Sequence, residues 1–138
     1  MTITFDTETI RLLTLFENMT NAPVRDCFTD NDVVYYIVEE GKIGLAIGKN
    51  GNCIKNVEKV VGKKVKVFEY SRDPEKFVNN LIPQCKEVNV INEKGMIKVE
   101  IKVSRNDKGF VIGRGGKKIK IYKEILKRVH NISDIQVK

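Results

Sequence analysis

No run of apolar residues in this 138-residue chain approaches the roughly 18 that a membrane-spanning helix requires. The first six residues, Met1-Thr2-Ile3-Thr4-Phe5-Asp6, lack a basic segment and a long apolar core, so no secretion signal is expected. Histidine occurs once, as His130. Cysteine occurs three times, at Cys27, Cys53 and Cys85, with no Cys-x-x-Cys pair. Those counts exclude a structural zinc site of ordinary spacing and argue against a disulfide framework. A reducing, cytoplasmic setting follows, with each cysteine read as a small buried hydrophobe. His130 has no serine or cysteine beside it in sequence and reads as a helix C-terminal residue. The acidic side chains are scattered through turns and helix starts rather than clustered. The chain is therefore expected to be neither an enzyme nor a holder of a metal or cofactor. A glycine- or serine-rich linker is also missing, which points to halves in fixed relation rather than on a tether.

What the chain does have is unevenly placed charge. It is 41% hydrophobic and 31% charged, with a net charge of +7. Residues 1–72 hold 10 basic and 10 acidic side chains, whereas residues 73–138 hold 15 and 8. Within the first half, residues 1–40 carry 2 basic and 8 acidic side chains, and residues 41–66 carry 7 and 1. Positive charge thus collects at two places, the footprint of a polyanionic partner.

Both places hold the same pattern. Gly109-Phe110-Val111-Ile112-Gly113-Arg114-Gly115-Gly116-Lys117-Lys118-Ile119 matches, 65 positions earlier, Gly44-Leu45-Ala46-Ile47-Gly48-Lys49-Asn50-Gly51-Asn52-Cys53-Ile54. Gly44, Ile47, Gly48, Gly51 and Ile54 recur as Gly109, Ile112, Gly113, Gly116 and Ile119. An internal repeat of this kind decides the fold reading before any single element does.

The flanking elements repeat too. A helix is expected over residues 6–20, capped by Asp6 or Thr7, with Ile10, Leu13 and Phe16 on its apolar face and Leu12, Leu15 and Met19 widening it. Strands follow at 24–29 and 33–38, joined by the turn Asp30-Asn31-Asp32. Tyr35 and Tyr36 must point to opposite faces of the sheet, packed at its edge. A short helix (42–47), the glycine turn, a helix (52–61) closed by Gly62 and a strand (64–70) complete the first unit. In the second, Asp73 caps a helix that begins at Pro74 and ends at Ile82. A hairpin (87–92 and 96–103) turns at Glu93-Lys94-Gly95, with Ile97, Val99, Ile101 and Val103 alternating against charged residues. A short helix (108–112), the second glycine turn, a helix (116–130) striped by Ile119, Tyr122, Ile125, Leu126 and Val129, and a strand (134–138) close the chain. The order is α-β-β-α-α-β twice, in domains 1–72 and 73–138: an α+β protein with two three-stranded sheets, each carrying its helices on one face.

A Gly-x-x-Gly turn that feeds a helix N-terminus offers unpaired N–H groups at the positive end of the helix dipole. Its glycines remove the Cβ atoms that would hold a ligand backbone away. Lys49-Asn50 and Arg114-Gly115 stand at the turn tips, with Lys117 and Lys118 beside the second. Ile47, Ile54, Ile112 and Ile119 supply apolar surface suited to unstacked bases. Such a clamp fits a single-stranded nucleic acid backbone. The nucleotide-binding P-loop, Gly-x-x-x-x-Gly-Lys-Ser/Thr, does not fit, because Gly116-Lys117 is followed by Lys118.

Both turns resemble the KH domain signature, a clamp for about four nucleotides. The element order resembles the type II KH fold, and two such units in tandem resemble the archaeal-type NusA transcription factors. Asp26-Cys27-Phe28, Val34-Tyr35-Tyr36-Ile37-Val38 and Gly44-Leu45-Ala46-Ile47-Gly48-Lys49 are similar to that family's first KH unit. The resemblance implies binding of single-stranded RNA in transcription termination or antitermination, by Gly44, Ile47, Gly48, Lys49, Asn50, Gly51 and Ile54, and by Gly109, Ile112, Gly113, Arg114, Gly115, Gly116, Lys117, Lys118 and Ile119. One strand is expected to lie across both turns in sequence. RNA polymerase is a second candidate partner; a membrane or a small-molecule substrate is not. Two alternatives stay open: a ribosomal RNA-binding or ribosome assembly factor, and a protein-interaction scaffold presenting the acidic 1–40 surface.

Overall fold

The computed structural model describes residues 7–30 and 32–138. The expected cap Asp6 and the turn residue Asn31 lie outside the described residues. The chain divides into two compact units, Met1–Ser71 and Arg72–Lys138. In the first, α1 (Thr7–Thr20), β1 (Val24–Asp30), β2 (Val33–Val38), α2 (Ile43–Ile47), α3 (Asn52–Val61) and β3 (Lys64–Glu69) follow in order. In the second the order recurs as α4 (Pro74–Leu81), β4 (Glu87–Glu93), β5 (Met96–Lys102), α5 (Arg105–Ile112), α6 (Lys117–His130) and β6 (Ile132–Val137).

Each unit has one mixed three-stranded sheet, in the order β1-β2-β3 and β4-β5-β6. The hairpin strands pair antiparallel, Cys27 opposite Tyr36 and Val90 opposite Val99. The last strand of each unit joins parallel to the middle one, with Tyr36 opposite Val67 and Val99 opposite Ile135. A parallel neighbour needs a long crossover, and the two helices with their glycine turn supply it. The turn is thus held between elements anchored at both ends.

The alternation in β2 sorts its side chains between the two faces of the sheet. Val34, Tyr36 and Val38 join Leu12, Phe16, Cys27, Ala46, Val57 and Val65 in the first unit's core. Tyr36 is fully buried, stacked 4.0 Å from Phe16, and its hydroxyl donates to the Leu12 carbonyl at 3.0 Å. Tyr35 lies on the opposite face, stacked between Phe28 and Phe68. Both tyrosines are packed, but on the central strand rather than at an edge, because β3 closes the second side of β2. Tyr36→Phe keeps the stacking and removes one buried hydrogen bond. It is expected to lower unfolding free energy by about 1 kcal/mol, read from urea denaturation.

Three elements differ from their sequence expectation by more than a residue or two at an end. In α1, Ile10 is 52% exposed, while Thr9, Leu12, Phe16 and Thr20 are buried. Ile10 stands roughly 200° around the helix from Leu12, and the inward arc is the one on which Leu12 and Phe16 pack with Tyr36 in the core. In α6, Ile121 is buried beside Ile125 and Leu126, whereas Ile119, Tyr122 and Val129 are only half-buried. That helix packs against both β6 and α4, so its covered arc is broader than a one-sided stripe. Finally, α5 begins a turn early, at Arg105. Ser104 caps it, accepting from the Asp107 N–H at 3.2 Å and donating to the Asp107 carboxylate at 2.8 Å. A serine followed three residues later by an acid is a helix-start signal. The expected cap at Asp73 is present, accepting from the Glu75 N–H at 3.1 Å.

Candidate nucleic-acid interface

The two glycine turns have the same backbone. α2 ends at Gly48 (φ 75°, ψ 173°) and α5 at Gly113 (φ 78°, ψ 169°). Each of these N–H groups donates back into its helix, to Gly44 at 3.0 Å and to Gly109 at 2.9 Å. A single 3₁₀ turn follows, Lys49–Gly51 or Arg114–Gly116. Its middle residue is left-handed in both copies: Asn50 at φ 55° and Gly115 at φ 65°. Gly51 and Gly116 then stand at the N-caps of α3 and α6, where they bring no side chain to accept from the first helical N–H groups. The N–H groups of Asn52 and Lys117 donate back to the Lys49 and Arg114 carbonyls, and the positive end of each helix dipole is left without a side-chain cap.

Gly48 and Gly113 occupy a region of backbone space that only glycine enters without strain. They are also crowded. A Cβ on Gly48 would sit 2.5 Å from Cys53 Sγ and 2.9 Å from the Cys53 nitrogen. A Cβ on Gly113 would meet Lys118 Cβ, Cγ and N at 3.0 Å. The turn is therefore folded tightly onto the first turn of the following helix. Gly44 and Gly109 are different: they lie inside helices, and nothing approaches the position of an added Cβ within 4 Å. They leave a bare strip of helix surface directly before each turn.

The tips are open. Lys49, Asn50, Arg114, Gly115 and Lys117 are exposed, and Lys118 is half-buried. Among the described residues, no ion pair engages Lys49, Arg114, Lys117 or Lys118. Ile47 is 38% exposed, and Ile54, Ile112 and Ile119 are half-buried, with Ile54 packed against the core. Two large apolar side chains that the sequence reading passed over are more exposed than any of these: Leu45 at 49% and Phe110 at 58%. They occupy matching positions, one residue after Gly44 and Gly109. Their place in the repeat was the available signal.

Three of the acidic side chains of segment 1–40 are engaged within the protein. Asp26 is buried and accepts from the Cys27 N–H at 2.9 Å. Glu17 accepts from the Val24 N–H at 2.9 Å, and Glu39 pairs with Arg25 at 3.5 Å. Arg25 is also stacked 3.9 Å over the Tyr70 ring. Burial pushes the Cys27 thiol up to about 12, with Asp26 adding to the effect, and the Cys85 thiol up to about 11. Both stay protonated at neutral pH, unlike a nucleophilic cysteine. The His130 ring lies 5.3 Å from Phe77, while Asn131 in the left-handed conformation terminates α6. No group of three or more His, Cys, Asp and Glu suited to a metal occurs among the described residues.

Comparison with known proteins follows the same lines. The pattern of the KH domain family matches residues 13–94. A probable transcription termination protein NusA from Methanocaldococcus jannaschii is 37% identical over 95% of this chain and 73% of its own length. Its namesake from Halobacterium salinarum is 35% identical over 99% of both chains. The crystal structure of APE1850 superposes with a TM-score of 0.81 at 34% identity, covering 97% of this chain and 100% of the other.

Proposed function

The chain belongs to the archaeal-type NusA family of KH-domain proteins, and from that membership we propose that it binds single-stranded RNA in transcription termination or antitermination through its two Gly-x-x-Gly turns. Family membership makes it an RNA-binding factor and not an enzyme. The observation that carries the proposal is the duplicated turn. Two stretches 65 residues apart adopt the same crowded glycine, the same left-handed tip and the same helix start without a side-chain cap.

In each turn the N–H groups offered to phosphate oxygens are those of Lys49 and Asn50, or of Arg114 and Gly115, because the N–H groups of Gly48, Gly51, Gly113 and Gly116 donate to carbonyls within the protein. Lys49 adds charge in the first; Arg114, Lys117 and Lys118 add it in the second. Gly44 and Gly109 let the ribose-phosphate chain lie close to the helix, and Ile47, Ile54, Ile112 and Ile119 support bases. RNA polymerase is the proposed protein partner, in line with the names of the NusA relatives. A cytoplasmic setting belongs to the same proposal. Among the described residues, no helix is long and apolar enough to cross a membrane.

Titration with unstructured RNA, matched duplex RNA and single-stranded DNA at two salt concentrations tests the binding. Unstructured RNA is expected to bind at least about tenfold more tightly than duplex, since a paired strand hides its base faces. Removing one phosphate contact, as in Arg114→Ala, is expected to flatten the slope of log K against log salt by about 0.7. Equal binding of duplex and single strand would refute the clamp. Sedimentation with ribosomal particles in place of polymerase would move the protein to ribosome assembly. Polymerase capture that survives nuclease treatment would instead favour a protein scaffold.

A further inference from the structure

We propose that Phe110 is a base-stacking platform at the rim of the second turn, and that the two turns therefore hold RNA differently: the second stacks a base on an aromatic ring, whereas the first has only aliphatic side chains beside its backbone contacts. The inference rests on the clamp reading above. Phe110 is the most exposed aromatic side chain in the second unit, at 58%. It lies on α5, three residues before Gly113 and next in sequence to Gly109. The Lys118 ammonium stands 3.4 Å from its ring centroid. The backbone of Lys118 is the same one against which Gly113 is pressed, with its nitrogen 3.0 Å from the position of an added Cβ. Lys118 thus ties the ring to the clamp.

The surroundings select the ligand. Lys108, Arg114 and Lys117 are exposed nearby in sequence, and the one acidic residue among positions 105–118, Asp107, is engaged with Ser104. A partner that suits this ring must therefore carry both negative charge and flat apolar faces, as a polynucleotide does. Lys118 covers one ring face by a cation–π contact, so a base stacks on the accessible remainder, or takes over the face as Lys118 swings to its phosphate. Such stacking tolerates any base, because every base has a π-face. At the matching position of the first unit stands Leu45, with Cys53 in place of Lys118. Neither a ring nor a cation is available there.

The test is binding of a ten-nucleotide uridine RNA, and of ten versions each with one abasic site. Phe110→Leu, which copies the first unit's residue, is expected to weaken binding of the intact RNA roughly tenfold, without changing the salt slope. Phe110→Tyr keeps the ring and is expected to bind within about twofold of wild type. For wild type, one abasic position should cost about as much as Phe110→Leu; in the variant that position should cost almost nothing. Lys118→Met should flatten the salt slope yet keep the abasic position costly. Unchanged melting temperature excludes misfolding as the cause. If Phe110→Leu binds the intact RNA as tightly as wild type, or abasic sites cost the same in both proteins, the stacking role is overturned while the clamp stands. A wild-type protein that fails to bind the RNA at all sinks the clamp reading and this inference with it.

Discussion

Arg114→Asp combined with Gly115→Asp is expected to weaken binding of unstructured RNA by roughly 100-fold at low salt, and Lys49→Asp with Asn50→Asp by roughly tenfold. Each pair shifts the local charge by the same amount, so the difference measures how much each turn holds. A unit charge about 4 Å from a phosphate is worth about 1 kcal/mol in water and more at a protein surface. In the second turn the reversed charges also oppose Lys117 and Lys118, which have Asn52 and Cys53 as counterparts in the first. The whole net charge of +7 belongs to residues 73–138, so the salt-dependent part of affinity is concentrated there. Folding should survive the change. Gly115 has nothing within 4 Å of an added Cβ, and the same left-handed site in the first turn already holds Asn50. Binding isotherms at two salt concentrations, beside melting curves, make the check. A second pair no more harmful than the first would end the claim of asymmetry.

The second large effect is on folding. Gly48→Ala is expected to destabilise the protein by roughly 2–6 kcal/mol, from about 1–3 for the backbone region and a similar amount for overpacking against the Cys53 backbone. That is a large share of the roughly 5–15 kcal/mol that holds a typical domain together. Gly109→Ala should do the reverse. It lies within α5 with open space around it, so alanine is expected to add about 0.5–1 kcal/mol of helix stability. Yet the new methyl would stand where the clamp reading puts the RNA chain, and affinity is expected to fall by roughly tenfold. Urea denaturation and RNA titration of both variants separate the two roles. One glycine serves the turn's geometry, the other the ligand's approach. A Gly109→Ala protein that is more stable and binds RNA as well as wild type would remove that residue from the interface.

Much of this was legible before any coordinates. The 65-residue repeat located both turns, since glycines at matching corners are a local requirement of the backbone. Asp73-Pro74 marked a helix start, and the alternation from Ile97 to Val103 marked a half-buried strand, again through local rules. The failures share a cause. Ile10 and Leu12 are equally apolar, and the core that α1 meets, with Tyr36 against Phe16 and the Leu12 carbonyl, takes in Leu12 and leaves Ile10 outside. Ile121 is buried in a helix covered from two sides, by β6 next in sequence and by α4 about forty residues earlier. Phe110 read as one more apolar residue of a short helix until its exposure and the Lys118 ammonium over its ring gave it another meaning.

The order α-β-β-α-α-β, the two paired-glycine turns and the concentration of positive charge around them were determined by the sequence alone, because caps, turns and periodicity act over a few residues. Which arc of each helix is buried, which tyrosine lies on which face of a central strand, and which apolar side chains stay in water beside the turns were decided only by the tertiary structure. Burial depends on what arrives from elsewhere in the chain, and no short stretch of sequence contains that.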